Sequence, residues 1–160
     1  MHLVAYLRRT MRNQAGFTLI EVLIVVAVIG VVAAITVPMV GDAMDRYSVI
    51  SASQQVASTV RAGRFQAVAR NTTVRVRFDS PAAGQYEREV YDADTTSWVS
   101  ADSQYLPSGV SFTAPPAEVK FDASGRLPYG DPVATIVVSN GNAAADRTIT
   151  VSLSGRIQAQ

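Results

Sequence analysis

The sequence predicts an α+β protein in which one long N-terminal helix runs into a head built of antiparallel strands. Three observations predict it. An apolar stretch from Phe17 to Val37 is interrupted by a single charge, Glu21. Between Val49 and Ala67, apolar and small residues recur every three or four positions, the spacing of one helix face. From Thr72 onward the period changes to two, the spacing of half-buried strands.

Residues 17–37 supply the roughly 20 positions a helix needs to cross a bilayer core of about 30 Å. Ahead of them stand Arg8, Arg9 and Arg12 with no acidic residue, so the positive-inside rule keeps the N-terminus cytoplasmic and places the chain after Val37 outside. The expectation is a single-pass protein with an external domain. A secretory signal peptide is the plainer alternative, but its apolar core runs to only about 7–15 residues, and no A-x-A-like cleavage site is well placed beyond this one. A simple signal anchor fits Glu21 poorly. An acid costs on the order of 2.5–3.5 kcal/mol at the centre of a span, less near the interface, and rarely stays there without a partner.

Residues 38–71 read as the external continuation of the helix. Val49, Ala52, Val56, Val60, Gly63 and Ala67 form a stripe of small groups that lets a helix lie close on a sheet, and no strong break precedes Asn71. Gly30 and Pro38 are the weak points: glycine costs about 1 kcal/mol in a helix, and proline removes a backbone bond and kinks the helix. Both residues are also simply tolerated in membrane helices.

The head, residues 72–160, begins with Val74, Val76 and Phe78 alternating with Arg75 and Arg77, and ends with Ile149, Val151 and Leu153 alternating with Thr148, Thr150 and Ser152. Further strands are expected near Tyr86 to Tyr91, Val110 to Thr113, Glu118 to Asp122 and Val133 to Ser139. Turn-forming runs separate them, among them Ser80-Pro81-Ala82-Ala83-Gly84, Pro115-Pro116, Ser124-Gly125 and Asn140-Gly141-Asn142. Beyond the span the chain is long enough for one small core and too short for two.

Composition argues against catalysis. The sole histidine, His2, precedes the span, cysteine is absent, and Lys120 is the only lysine, so the common nucleophile–base pairs and zinc ligand sets are missing. No enzyme activity, cofactor or metal is expected, and without disulfides the head must be held by packing. Asp92 and Asp94 flank Ala93 in a polar loop of the kind that can meet calcium, but the full loop series with its glycine and terminal glutamate is lacking. Arg75, Arg77 and Arg156 form a candidate basic patch, against the simpler reading of charged outward strand faces that keep a sheet edge soluble.

The run Gly16-Phe17-Thr18-Leu19-Ile20-Glu21 resembles the class III signal of type IV pilins and of the pseudopilins of type II secretion. The resemblance implies a leader, residues 1–16, cut after Gly16 by a prepilin peptidase that also methylates the new amine of Phe17. Removing it takes three of the fourteen basic residues and none of the thirteen acids, leaving eleven against thirteen. Glu21 matches the family's acid at the fifth mature position, where a neighbouring subunit's α-amino cation would neutralise it within the membrane or filament and set axial register. Gly30 and Pro38 match positions where the family's helix loosens on assembly.

The head is similar to the GspH/FimT group in Arg61 to Asn71 leading into Val74-Arg75-Val76, in Phe121-Asp122-Ala123-Ser124-Gly125-Arg126, and in a terminal strand from Ile149 to Ile157 carrying Ser154-Gly155-Arg156-Ile157. That resemblance implies a sandwich-like head of antiparallel sheets packed on the helix. It also implies a minor pseudopilin of the type II secretion system, with a type IV pilus minor pilin as the alternative. The partners implied are the prepilin peptidase/methyltransferase, other pseudopilins or pilins, the inner membrane, and secreted cargo or the secretin. Some FimT-type pilins take up DNA through a Gly-Arg-x-Arg motif. Here Gly155-Arg156-Ile157-Gln158 has glutamine at the second arginine position, and DNA is not expected as a partner.

Overall fold

The computed structural model describes residues 16–160, with the side chains of 37–40 and 42 outside that description. His2, Arg8, Arg9 and Arg12, and with them the orientation they predict, lie outside the described residues. The chain divides into two compact units between Val40 and Gly41. Helix α1, Leu19–Arg70, begins in the first and ends in the second.

Thr18 starts the helix by capping it: the Glu21 amide donates to Thr18 Oγ1 at 3.3 Å and to the Thr18 carbonyl at 3.1 Å. The helix continues through Gly30 and Pro38. It stops at Asn71, which takes a left-handed conformation with φ 51°. The Asn71 amide bonds the Val68 carbonyl and the Thr72 amide bonds the Ala67 carbonyl, the paired hydrogen bonds of a Schellman cap.

Eight strands follow: β1 Val74–Phe78, β2 Gln85–Asp92, β3 Ser97–Tyr105, β4 Ser111–Thr113, β5 Glu118–Phe121, β6 Ala134–Ser139, β7 Arg147–Val151 and β8 Ile157–Ala159. They form two four-stranded sheets, ordered β3-β2-β1-β5 and β4-β6-β7-β8, and every pairing is antiparallel. The expected alternation holds in β1, where Val74, Val76 and Phe78 are buried and Arg75 and Arg77 are not. All six residues of the helical stripe are buried, and Gly63 lies so close to β1 that an added Cβ would stand 3.3 Å from Val76 Cγ2.

One apolar cluster joins the stripe to both sheets, with Phe121, Ile136, Ile149 and Val151 fully buried in it. Phe112 of β4 meets Phe78 and Tyr86 of the other sheet edge-on, with ring centroids at 5.5 and 6.0 Å, so aromatic contacts tie the sheets together. This is the α+β architecture that the sequence predicts.

One expectation is corrected and one strand is added. The stretch from Ile149 to Ile157 is not one strand: β7 ends at Val151, residues 152–156 turn, and β8 returns antiparallel. Leu153, expected inside, lies in that turn and is exposed. The turn forms because Ser152 Oγ accepts from the Arg156 amide and Gly155 takes φ 77°, a conformation cheap only for glycine. The added strand is β3, Ser97–Tyr105, which carries no alternating apolar signal and was not expected. It is a mostly exposed edge strand, and its pairing with β2, rather than burial, holds it.

Candidate assembly site

In the first unit the candidate residues lie at the start of α1. Phe17 is 80% exposed, and within the helix the window Leu19–Thr36 has a mean hydropathy of 2.9 with none of it buried. A helix apolar on every side and covered by nothing among the described residues needs lipid or other helices around it. Length and composition suffice to cross a membrane.

Glu21 lies in the first turn of this helix. Its carboxylate has no ion-pair partner among the described residues. The first turn carries the positive end of the helix dipole, so an acid is tolerated here better than one turn deeper. Thr18-Leu19-Ile20-Glu21 also has the spacing of a capping box, a local signal of a helix start. Pro38 sits within α1, and its side chain is outside the described residues.

In the head the three arginines of the expected basic patch are used differently. Arg75, between the buried positions of β1, donates to Glu89 Oε2 through Nε and to Glu118 Oε2 through Nη1 at 3.1 Å. Its guanidinium also lies 4.1 Å from the centre of the Trp98 ring. Arg77 reaches Glu89 Oε1 at 3.5 Å, and Lys120 bonds Glu118 at 2.5 Å. Arg75 and Arg77 are paired with carboxylates on the neighbouring strands and Lys120 with Glu118 on its own strand, and Glu89 is only 10% exposed at its side chain. Burial alone would raise the Glu118 pKa, but the Lys120 ammonium and then Arg75 outweigh it and hold the group below its ordinary 4.5.

Arg156 instead lines a cleft of about 480 Å³ with Arg61, Arg64, Phe65, Val68 and Ile157. Arg61, Arg64 and Phe65 stand on α1 outside the buried stripe. Helical spacing alone sets those three near one another, but only the folded C-terminal hairpin brings Arg156 to them.

Asp92 serves its own turn: Oδ1 accepts from the Asp94 amide at 3.0 Å and Oδ2 from Thr95 Oγ1 at 2.8 Å. The Thr95 bond, then the Asp94 bond, lowers the Asp92 pKa. Among the described residues no three acidic or histidine side chains gather as metal ligands.

Two family models match the chain. The prokaryotic N-terminal methylation motif covers residues 11–37, and the type II transport protein GspH model covers residues 52–155, more than half of the sequence. The chain belongs to the GspH family. The family's members are structural pilin and pseudopilin subunits, not enzymes.

The fold of this GspH-family chain is similar to that of the type IV minor pilin FimU of Pseudomonas aeruginosa, with a TM-score of 0.60 at 17% identity over 72% of this chain and 90% of that one. It is also similar to the minor pseudopilin EpsH from the type 2 secretion system of Vibrio cholerae, with a TM-score of 0.58 at 13% identity over 71% of this chain and 96% of that one. At such identities the likeness is one of fold. Comparison with curated protein sequences gives no significant match. The methylation motif implies processing by a prepilin peptidase and assembly with other pilin-type subunits, and the apolar helix fits membrane anchoring of a filament subunit.

Proposed function

We propose that this chain is a minor pseudopilin of the GspH type, a structural subunit of a periplasmic filament that drives protein secretion across the outer membrane. It is made as a prepilin in the inner membrane with its N-terminus cytoplasmic, cut between Gly16 and Phe17, and methylated on Phe17. The observation that carries this reading is the wholly uncovered apolar window Leu19–Thr36 directly after the Gly16–Phe17 pair. Such a helix is stable in the bilayer and equally stable among the apolar helices of a filament core, so the subunit passes from one to the other without exposing it to water.

In the filament the α-amino cation of Phe17 pairs with Glu21 of a neighbour. Glu21 then has its partner, and a one-residue slip of the helices loses the pair. Gly30 and Pro38 are where the helix yields as it packs. The head contacts other minor subunits, cargo or the secretin.

A second reading, a minor pilin of a type IV pilus, is favoured by the likeness to FimU. Deleting the coding sequence in its host separates the two. The first reading expects exoproteins to accumulate in the periplasm while twitching and surface pili persist. Lost pili with normal secretion would replace it by the second, and loss of neither would remove both.

A further inference from the structure

The C-terminal turn has a twin. In residues 122–126 the Asp122 amide bonds the Arg126 carbonyl at 2.9 Å and the Gly125 amide bonds the Asp122 carbonyl at 2.8 Å. In residues 152–156 the Ser152 amide bonds the Arg156 carbonyl at 2.9 Å and the Gly155 amide bonds the Ser152 carbonyl at 2.8 Å. Both run Ser-Gly-Arg, with the glycines at φ 74° and 77°.

The two turns are packed on each other and on α1. A Cβ on Gly155 would stand 2.0 Å from the Gly125 carbonyl oxygen, and that oxygen accepts from Arg64 Nε at 2.9 Å. Arg64 therefore pins the pair to the helix, and the pinned turn holds Arg156 at the wall of the cleft opposite Arg61 and Phe65.

Every ion pair among the described residues lies on Arg75, Arg77 or Lys120. Arg61, Arg64 and Arg156 converge without a carboxylate, although twelve acids are available from Gly41 onward. Between the arginines Phe65 is 75% and Val68 50% exposed. Arginine around an aromatic anchor is the composition of a binding hot spot, and unpaired like charges repel one another until an anion arrives.

We infer that this cleft docks an acidic segment of another, different filament subunit, one that sets two or more carboxylates around an aromatic or aliphatic side chain. The inference rests on the filament reading above. Carboxylates meet the guanidinium forks, and the apolar side chain covers Phe65, Val68 and Ile157. A phosphodiester fits less well. Half of the lining is apolar, formed by Phe65, Val68 and Ile157, which offer a phosphate backbone nothing to bind, and Arg75, Arg77 and Lys120 are held by Glu89 and Glu118.

The test uses the full chain in its host membranes, with the photo-crosslinker p-benzoylphenylalanine in place of Phe65 and, separately, of Val28 in the apolar helix. The expected result is a Phe65-site adduct that mass spectrometry identifies as an Asp- or Glu-bearing peptide of another filament subunit. Its yield should fall about tenfold in the Arg61→Glu, Arg156→Glu double variant, stay level in Arg126→Glu on the twin turn, and leave Val28 adducts unchanged in all. Val28 adducts without Phe65 adducts, Phe65 adducts indifferent to the charge reversals, or adducts to nucleic acid or a second copy of this chain would overturn the docking site and spare the filament. Absence of adducts from both positions would take down the filament reading and this inference with it.

Discussion

Glu21 carries two roles that one substitution separates. Its amide belongs to the Thr18 cap, and its carboxylate is the group proposed to meet the Phe17 amine of a neighbour. Glutamine serves as well as glutamate in a capping box, so Glu21→Gln keeps the helix start and removes only the charge. Membrane levels should stay equal or rise, since the cost of placing a charge in the span disappears, while the fraction in sheared filaments falls severalfold. Equal filament fractions on immunoblots of the two forms would remove the register role. At Gly155 the constraint is steric as well as conformational. Gly155→Ala should cost roughly 2–3 kcal/mol and lower the Tm of the detergent-solubilised protein by about 5–10 °C. Gly109→Ala, with φ 79° and open space around it, should cost only about 1 kcal/mol. Thermal scans giving equal losses would show that backbone conformation alone matters at both positions.

At the scale of elements, β1 joins α1 to the outer charge ladder. Val74 and Val76 face Gly63, while Arg75 between them faces Glu89 and Glu118. A carboxylate held below its ordinary pKa contributes stability that is full above the unfolded value, 4.5 for Glu118, and is lost as the pH falls through the lower folded value. Glu118→Gln should therefore lower the Tm near neutral pH, and the deficit should shrink as the pH falls through the lowered folded pKa and the carboxylate is protonated. A deficit constant across the titration would assign it to packing instead. The ladder was half legible in the sequence. Alternation put Arg75 and Arg77 on the outer face, but which carboxylates answer them depends on the register of β2 and β5, which the alternation leaves open. Strand β3 was not legible, because its half-buried positions, Trp98, Asp102 and Gln104, are mostly polar and show no apolar period.

At the scale of the whole molecule, the proposed maturation changes both ends of the electrostatic balance: three arginines leave with residues 1–16 and a new α-amino cation appears beside Glu21. Intact-mass analysis of the membrane protein should show loss of residues 1–16 and gain of one methyl group, and Gly16→Ala should block both. Full-length wild-type chain persisting beside an active prepilin peptidase would refute the processing. The sequence by itself determined the membrane-length helix, its buried stripe of small residues and the change to strands after Asn71, because hydrophobic periodicity is a local consequence of helix and strand geometry. It also carried the N-terminal methylation motif, since such a motif is read as a linear string. Only the tertiary structure decided that the last strand folds back as a hairpin and that Arg75 and Arg77 are neutralised. It alone brought Arg156 beside Arg61 and Arg64, some ninety positions away, across two interlocked turns. Those outcomes rest on contacts between residues distant in the chain, which no local period encodes.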